Sequence, residues 1–239
     1  MGAIRHVPHP FPCQGSKRQL ASQIVECIPR RTNRLIEPFA GSGAVTIATA
    51  YLKRANRFWL NDLHEPLVQL WKAIIQQPER LADLYERLWM RQRGRERDFY
   101  DKVRGRFNRT QHPQFFLYLL ARCVKAVVRY NAQGQFNNSP DNRRLGTRPD
   151  SMRLNILQTA GLLRGRTRVS CRDFKSVLSE ATPDDVVYMD PPYQGVCNTR
   201  DHRYCGAVSF HGFSTALRSL NDRGVPKVFV EEPDLFAMI

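Results

Sequence analysis

The stretch Val186-Val187-Tyr188-Met189-Asp190-Pro191-Pro192-Tyr193 puts a carboxylate, a stiff backbone turn and an aromatic face side by side. The run before Asp190 reads as a short buried strand. Pro192 lacks an N–H and Pro191 restrains Asp190 to an extended shape, so the strand ends there. The Asp190 side chain and the Pro191 carbonyl can accept the two N–H bonds of an amine, and Tyr193 can stack on the ring that carries it. Such a corner suits one chemistry, the presentation of an amino nitrogen to an electrophile.

Three more carboxylates close strand-like runs. Arg34-Leu35-Ile36-Glu37 leads into Pro38-Phe39-Ala40-Gly41-Ser42-Gly43, followed by a helix carrying Val45, Ile47 and Ala48. Glycines there let the backbone approach a ligand, and the helix start offers free N–H groups to an anion. A tight turn with no ligand explains the same residues equally well. About twenty residues on, Arg57-Phe58-Trp59-Leu60-Asn61-Asp62 ends in an acid at the offset that serves ribose hydroxyls in nucleoside-binding α/β folds. Asp62 competes with itself for that role, because it is also placed to cap a helix starting near Pro66. Arg168-Val169-Ser170-Cys171-Arg172-Asp173-Phe174 is a further strand ending at a carboxylate.

Ligands of open α/β sheets bind beyond the carboxyl ends of the strands, so Glu37, Asp62, Asp173 and Asp190 are expected at one site. The chain has no His pair at metal spacing, no nucleophile elbow and no phosphate-binding loop of the P-loop type, and no metal is expected. A reaction that needs a reactive cofactor, alignment and a hydrogen-bond acceptor fits these residues. Methyl transfer from a sulfonium to an exocyclic amine is such a reaction, with the hard chemistry carried by the cofactor. A base in a duplex has to be extruded first.

The elements that position these residues alternate between strand and helix, except in the middle. A Pro-rich segment turns at Gln14-Gly15-Ser16, and Leu20, Ile24, Val25 and Ile28 follow at helical spacing, which puts Lys17 near a helix start. A cation gains nothing from the helix dipole there, so Lys17 either is solvated or reaches an anion. Leu67 to Leu88 has a helical pattern, and Phe115 to Val128 reads as one buried helix. Arg91, Arg93, Arg95 and Arg97 open a strongly basic stretch; Asn137, Arg143, Arg144 and Arg148 continue it beyond a turn at Gly134. Arg interleaved with Asn, Gln, Tyr and Phe suits phosphates and base edges, whereas a solvated charged face is the plainer reading. Residues 76–165 are therefore expected to form an inserted, mainly helical DNA-facing module, with 1–75 and 166–239 as the catalytic domain. Gln194 to Phe213 is a long polar loop, Leu217 and Leu220 suggest a helix, and Val225 to Val230 a last strand, expected beside the Asp190 strand.

With 37 Lys and Arg against 22 Asp and Glu, the net charge of +15 suits a polyanionic partner. The six cysteines show no close paired spacing, so zinc and a disulfide framework are not expected. No run approaches the roughly 18 apolar residues of a membrane span. These features lead us to expect a cytoplasmic chain.

Taken in order, Pro10-Phe11-Pro12-Cys13-Gln14-Gly15-Ser16-Lys17-Arg18, the Glu37 to Gly43 turn, Asn61-Asp62, Asp173-Phe174 and Asp190-Pro191-Pro192-Tyr193 resemble the motifs of adenine-specific DNA methyltransferases. The segment Asn131 to Arg153 is also similar to that family. The resemblance implies a doubly wound, mostly parallel sheet with an inserted target-recognition module, and S-adenosyl-L-methionine as cofactor. It implies double-stranded DNA as substrate and, in restriction systems, a partner endonuclease. By the same resemblance Cys13 and Lys17 would lie at the methionine end of the cofactor, and Glu37, Pro38, Phe39, Gly41 and Gly43 would line its pocket. Asp62 would bind ribose, Asp173 and Phe174 would meet its adenine, and Asp190 to Tyr193 would hold the target base. Cys13 and Cys205 stand where the family has aromatic residues. Related enzymes continue past the last strand with a helix and a hairpin, and Glu231 to Ile239 are too few for these, so a truncated sheet edge is expected. A catalytically impaired relative that keeps DNA binding, and methylation of RNA or of protein glutamine, are the competing readings; the charge disfavours the last.

Overall fold

Alternation of apolar side chains decides the architecture of the computed structural model, which describes residues 7–191 and 208–229. In β1 (Thr32–Glu37) Leu35 and Ile36 point to opposite faces; so do Phe58 and Trp59 in β2 (Ala55–Asn61), and Val186 and Val187 in β4 (Asp185–Met189). A strand that is apolar on both faces has to be covered on both. The larger core takes Leu35, Phe58, Leu60 and Val186; the smaller takes Ile36, Trp59, Val187 and Met189.

With β3 (Thr167–Ser170) and β5 (Lys227–Phe229) the sheet is five-stranded and parallel, in the order β3-β2-β1-β4-β5. On the larger-core face lie α1 (Ala21–Glu26), α2 (Ala44–Tyr51), α3 (Glu65–Gln76) and α7 (Pro149–Leu163). The smaller core is covered by α8 (Phe174–Ser179) and α9 (Phe210–Asp222). The chain runs outward through β1, β2 and β3, then returns to place β4 against the free side of β1. The crevice at this reversal is where such sheets bind ligands.

Between α3 and α7 come α4 (Pro78–Arg91), α5 (Glu96–Thr110) and α6 (Pro113–Arg122). Their apolar faces, with Leu81, Tyr85, Tyr100, Phe107 and Phe116, join the same core as α2 and α3. The helix expected over Leu67 to Leu88 is two helices, because Pro78 has no N–H to continue α3 and instead opens α4. The helix expected over Phe115 to Val128 stops at Arg122. Cys123 is extended (φ −75°, ψ 159°) and Lys125 is left-handed (φ 56°), and Asn138 Nδ2 binds the carbonyls of Val124 (3.1 Å) and Val127 (2.9 Å) instead. α9 already begins at Phe210, so the polar loop ends before Phe213. The last strand pairs with β4 as expected, over Lys227–Phe229 only.

An ion pair locks β4 to β1. Arg34 Nε and Nη2 donate to the two oxygens of buried Asp185 at 2.9 and 2.6 Å, and Thr182 adds a backbone N–H at 2.8 Å. Burial pushes the Asp185 carboxyl up, but the Arg34 and Thr182 bonds outweigh it and hold it below the usual range.

Candidate active site

A cavity of about 420 Å³ opens at the carboxyl ends of the strands, between β1 and β4. Its walls include Cys13, Lys17, Glu37, Pro38, Phe39, Gly41, Asp62, Asp173, Phe174, Asp190 and Pro191. All of the cofactor-pocket residues expected from sequence are therefore brought together except Gly43, which lies behind the wall. Gly43 has φ 58°, and a Cβ there would stand 2.6 Å from Trp71 Cζ2, so both the backbone and the packing require glycine. Pro192, Tyr193 and Cys205 fall outside the described residues, as does the tail after Phe229 and with it the expected truncated edge.

Glu37, Asp62 and Asp173 are held by backbone N–H groups, and Asp190 meets a side chain. Glu37 is buried at the end of β1, and its Oε1 accepts the N–H of Thr46 in the first turn of α2 at 2.5 Å. Such first-turn N–H groups have no partner within the helix. Burial pushes the Glu37 carboxyl up to about 8, with nearby Asp190 adding to the rise. Asp62 does not cap α3, whose N-cap is His64. Its Oδ2 accepts from Gly41 N (2.9 Å) and its Oδ1 from His64 N (3.0 Å), and burial raises its carboxyl as well. A carboxylate has about four lone-pair sites, so these bonds leave room for a ligand. Asp173 caps α8 by accepting from Lys175 N at 2.9 Å. Lys17 Nζ lies 3.3 Å from Asp190 Oδ1, so the cation expected to be either solvated or reaching an anion does the latter.

Apolar walls complement the acids. The rings of Phe39 and Phe174 are 5.2 Å apart, with Phe213 packed behind both. Sequence reasoning missed the wall formed by Ala126, Val127 and Val128, and it missed His64 and Tyr188. A bond that carried no sequence signal, Gln14 N to the Ala126 carbonyl at 3.2 Å, closes that wall onto the N-terminal turn. Ser16 Oγ and Ser42 Oγ, 2.8 Å apart, join the same turn to the β1–α2 loop.

Asn61 organises the strand ends. Its Nδ2 donates to the carbonyls of Pro38 and Arg172, both at 2.9 Å. Its Oδ1 accepts from Ser170 Oγ (2.7 Å) and Arg172 N (3.0 Å). One buried side chain thus ties β1, β2 and β3 together beneath the cavity.

The basic candidates do not line the cavity. Arg91, Arg93, Arg95 and Arg97 are exposed around the α4–α5 turn, as are Asn137, Arg143, Arg144 and Arg148 between α6 and α7. Arg143 and Arg144 both bind Asp141, Arg143 through two bonds of 2.9 and 3.0 Å. These bonds, Arg143 first, hold the Asp141 carboxyl down near about 2. Among the described residues no group of three or more His, Cys, Asp or Glu converges to hold a metal, and no helix is long and apolar enough to cross a membrane.

Helices on both faces of a parallel sheet, with an acid-lined cavity at the reversal of strand order, are the architecture of an α/β methyltransferase. Residues 14–235 match the D12 class N6 adenine-specific DNA methyltransferases, and the chain belongs to that family. It is 30% identical over 194 residues to a DNA N-6-adenine-methyltransferase of Escherichia phage P1, a match covering 79% of this chain and 24% of that protein. It is 27% identical over 201 residues to the type II methyltransferase M.MjaIII of Methanocaldococcus jannaschii, covering 77% of this chain and 68% of that one. A DNA adenine methylase of Haemophilus influenzae is 28% identical over 186 residues, covering 75% of this chain and 61% of that protein. The chain thus matches about a quarter of the phage protein and under two thirds of the Haemophilus one.

Proposed function

We propose that this chain transfers a methyl group from S-adenosyl-L-methionine to the exocyclic amino group of adenine in double-stranded DNA. The observation that carries the reading is the placement of Asp190 on the wall of a cavity that also holds Glu37, Asp62 and Asp173. The donor set suits the cofactor. Two buried carboxyls held above their usual range, Glu37 and Asp62, favour a ligand that brings positive charge. The volume lies within the range of about 300–1,000 Å³ common for small-molecule sites.

When bound, the cofactor supplies an electrophilic methyl group on a sulfonium. The rest falls to the chain. Lys17 and the turn before it would hold the carboxylate end, and Glu37 would face the ammonium. Asp62 would take ribose hydroxyls on its remaining lone-pair sites, and Phe39 and Phe174 would flank the adenine. Asp190 and the Pro191 carbonyl accept the two N–H bonds of the extruded target base, which turns its nitrogen lone pair toward the methyl group. The proton that the amine loses on methylation would pass to the Asp190 side, the acceptor already bonded to it. The resemblance assigns Pro192 and Tyr193 to gripping the same base.

Residues 76–165 form the DNA-facing module of this reading, in which Arg91, Arg93, Arg95 and Arg97 meet phosphates and Asn137, Arg143, Arg144 and Arg148 approach the bases. A companion restriction endonuclease is a further expectation, prompted by relatives named type II methyltransferases. The test is incubation with mixed-sequence DNA and labelled cofactor, followed by mapping of modified bases. Label in N6-methyladenine at a defined sequence is expected; label confined to RNA or protein, or none, overturns the reading.

A further inference from the structure

We propose that His64 is a positioning residue that couples the hairpin Tyr130–Phe136, which belongs to the module proposed above to face DNA, to the Asp62 carboxylate, so that DNA bound to that module tightens the site's grip on the cofactor. The inference rests on the proposed function and adds a regulation of the same site.

The hairpin and the cavity share one segment of chain. Ala126, Val127 and Val128 form a cavity wall, and two residues later Tyr130 bridges Phe136 in an antiparallel turn. Asn131 Oδ1 accepts the N–H groups of Gln133 (3.1 Å) and Gln135 (2.9 Å), which stiffens the tip while leaving Ala132 to Gln135 exposed. The base of the hairpin is fixed. Asn108 binds both the N–H and the carbonyl of Phe136, at 2.8 and 3.1 Å.

From this rigid unit one polar path leads inward. Tyr130 Oη is 2.6 Å from His64 Nε2, the two rings lie 5.5 Å apart, and the Phe116 ring is 5.4 Å from the imidazole. The backbone N–H of His64 donates to Asp62 Oδ1 at 3.0 Å, while Gly41 N holds Oδ2 at 2.9 Å. Burial pushes the His64 imidazole down to about 4, so at neutral pH it is an uncharged link between a phenol and the chain that holds Asp62. A ligand that orders either end of such a path spares the other ligand part of the ordering cost, and the coupling is reciprocal.

The test uses the full chain and S-adenosylhomocysteine as a non-reacting probe, titrated with and without a saturating duplex carrying the mapped site. In the wild type the duplex is expected to tighten probe binding about fivefold or more, within the usual range of site-to-site coupling. Tyr130→Phe removes one oxygen and keeps the ring. It is expected to leave probe affinity of the DNA-free protein within about twofold and to cut the DNA enhancement to about twofold or less. His64→Phe should do the same to the enhancement, and the double variant should add nothing further, since both break one link. A structural role alone would lower thermal stability and leave the enhancement intact. Enhancement that survives both single variants, or is absent from a wild type that binds probe and methylates DNA, overturns the coupling and leaves the proposed function standing. A wild type that binds no probe overturns both.

Discussion

Lys17 Nζ stands 3.3 Å from Asp190 Oδ1, so the N-terminal turn meets the residue just past β4 across the cavity. The two roles proposed for these side chains predict different losses. Asp190→Ala should lower the methylation rate by about two to three powers of ten, the usual effect of deleting a positioned hydrogen-bonding group. Lys17→Met should mainly weaken cofactor binding. Rates are read in single turnover and affinity by titration; an Asp190→Ala protein that turns over like the wild type would remove Asp190 from the chemistry.

Glu37 makes stability depend on pH in a stated direction. Its folded-state pKa of about 8 exceeds the usual value of about 4.3, so between these the folded state keeps a proton that the unfolded chain has lost. Without cofactor, stability therefore declines as pH rises through that window. Glu37→Gln removes this residue's share of the decline, and its melting temperature relative to wild type should climb from pH 5 to pH 9. The same carboxyl should release a proton when a cationic cofactor binds near pH 7, detectable as a buffer-dependent binding enthalpy. Parallel pH profiles for the two proteins would contradict this account.

Charge removal separates the two groups of basic residues. Changing Arg91, Arg93, Arg95 and Arg97 to Gln together should weaken binding to every DNA sequence. The salt slope should fall by about 0.9 for each phosphate that is no longer neutralised. Arg143 and Arg144 share Asp141, so Asp141→Asn should free both side chains and relax preference at one base position rather than affinity overall. Affinity and slope unchanged after the first set would leave that run as a solvated face.

Asn61 and Gly43 carry a prediction about stability. Asn61→Ala strands its partners at the ends of β1 and β3, and is expected to cost about 1–3 kcal/mol and to loosen Asp62 beside it. Gly43→Ala puts a Cβ into Trp71 at a left-handed position and should cost a similar amount, about 1–3 kcal/mol. Denaturant midpoints measure both, and a change near zero in either would mean that the strand ends repack freely.

The centre of the sheet is legible in the sequence because β1, β2 and β4 are short apolar runs with an acid at or just past their ends, and turn chemistry follows each one. Glu37, Asp62 and Asp190 can be found for the same reason. The middle of the chain is harder. In α5 the apolar positions Tyr100, Val103 and Phe107 are spaced helically, but they sit among so many arginines that charge dominates the pattern. α7 escapes notice although Pro149 opens it and Met152, Ile156 and Leu163 form its buried stripe. The Ala126–Val128 wall and the His64–Tyr130 link depend on chain segments meeting from far apart, and neither has a local signature.

The order β3-β2-β1-β4-β5 also sets a schedule for synthesis. A ribosome delivers β1 early, but the strand that covers its second edge emerges only after roughly 150 more residues, on the order of ten seconds at about 5–20 residues per second. During that interval one edge of β1 and the apolar Ile36 side chain have no β4 to meet. Nascent chains halted before β4 should be digested rapidly by protease with or without cofactor, and those halted well after β5 should gain protection when cofactor is added. The yield of folded chain in a cell should then respond to translation speed and to chaperones that shield a waiting strand.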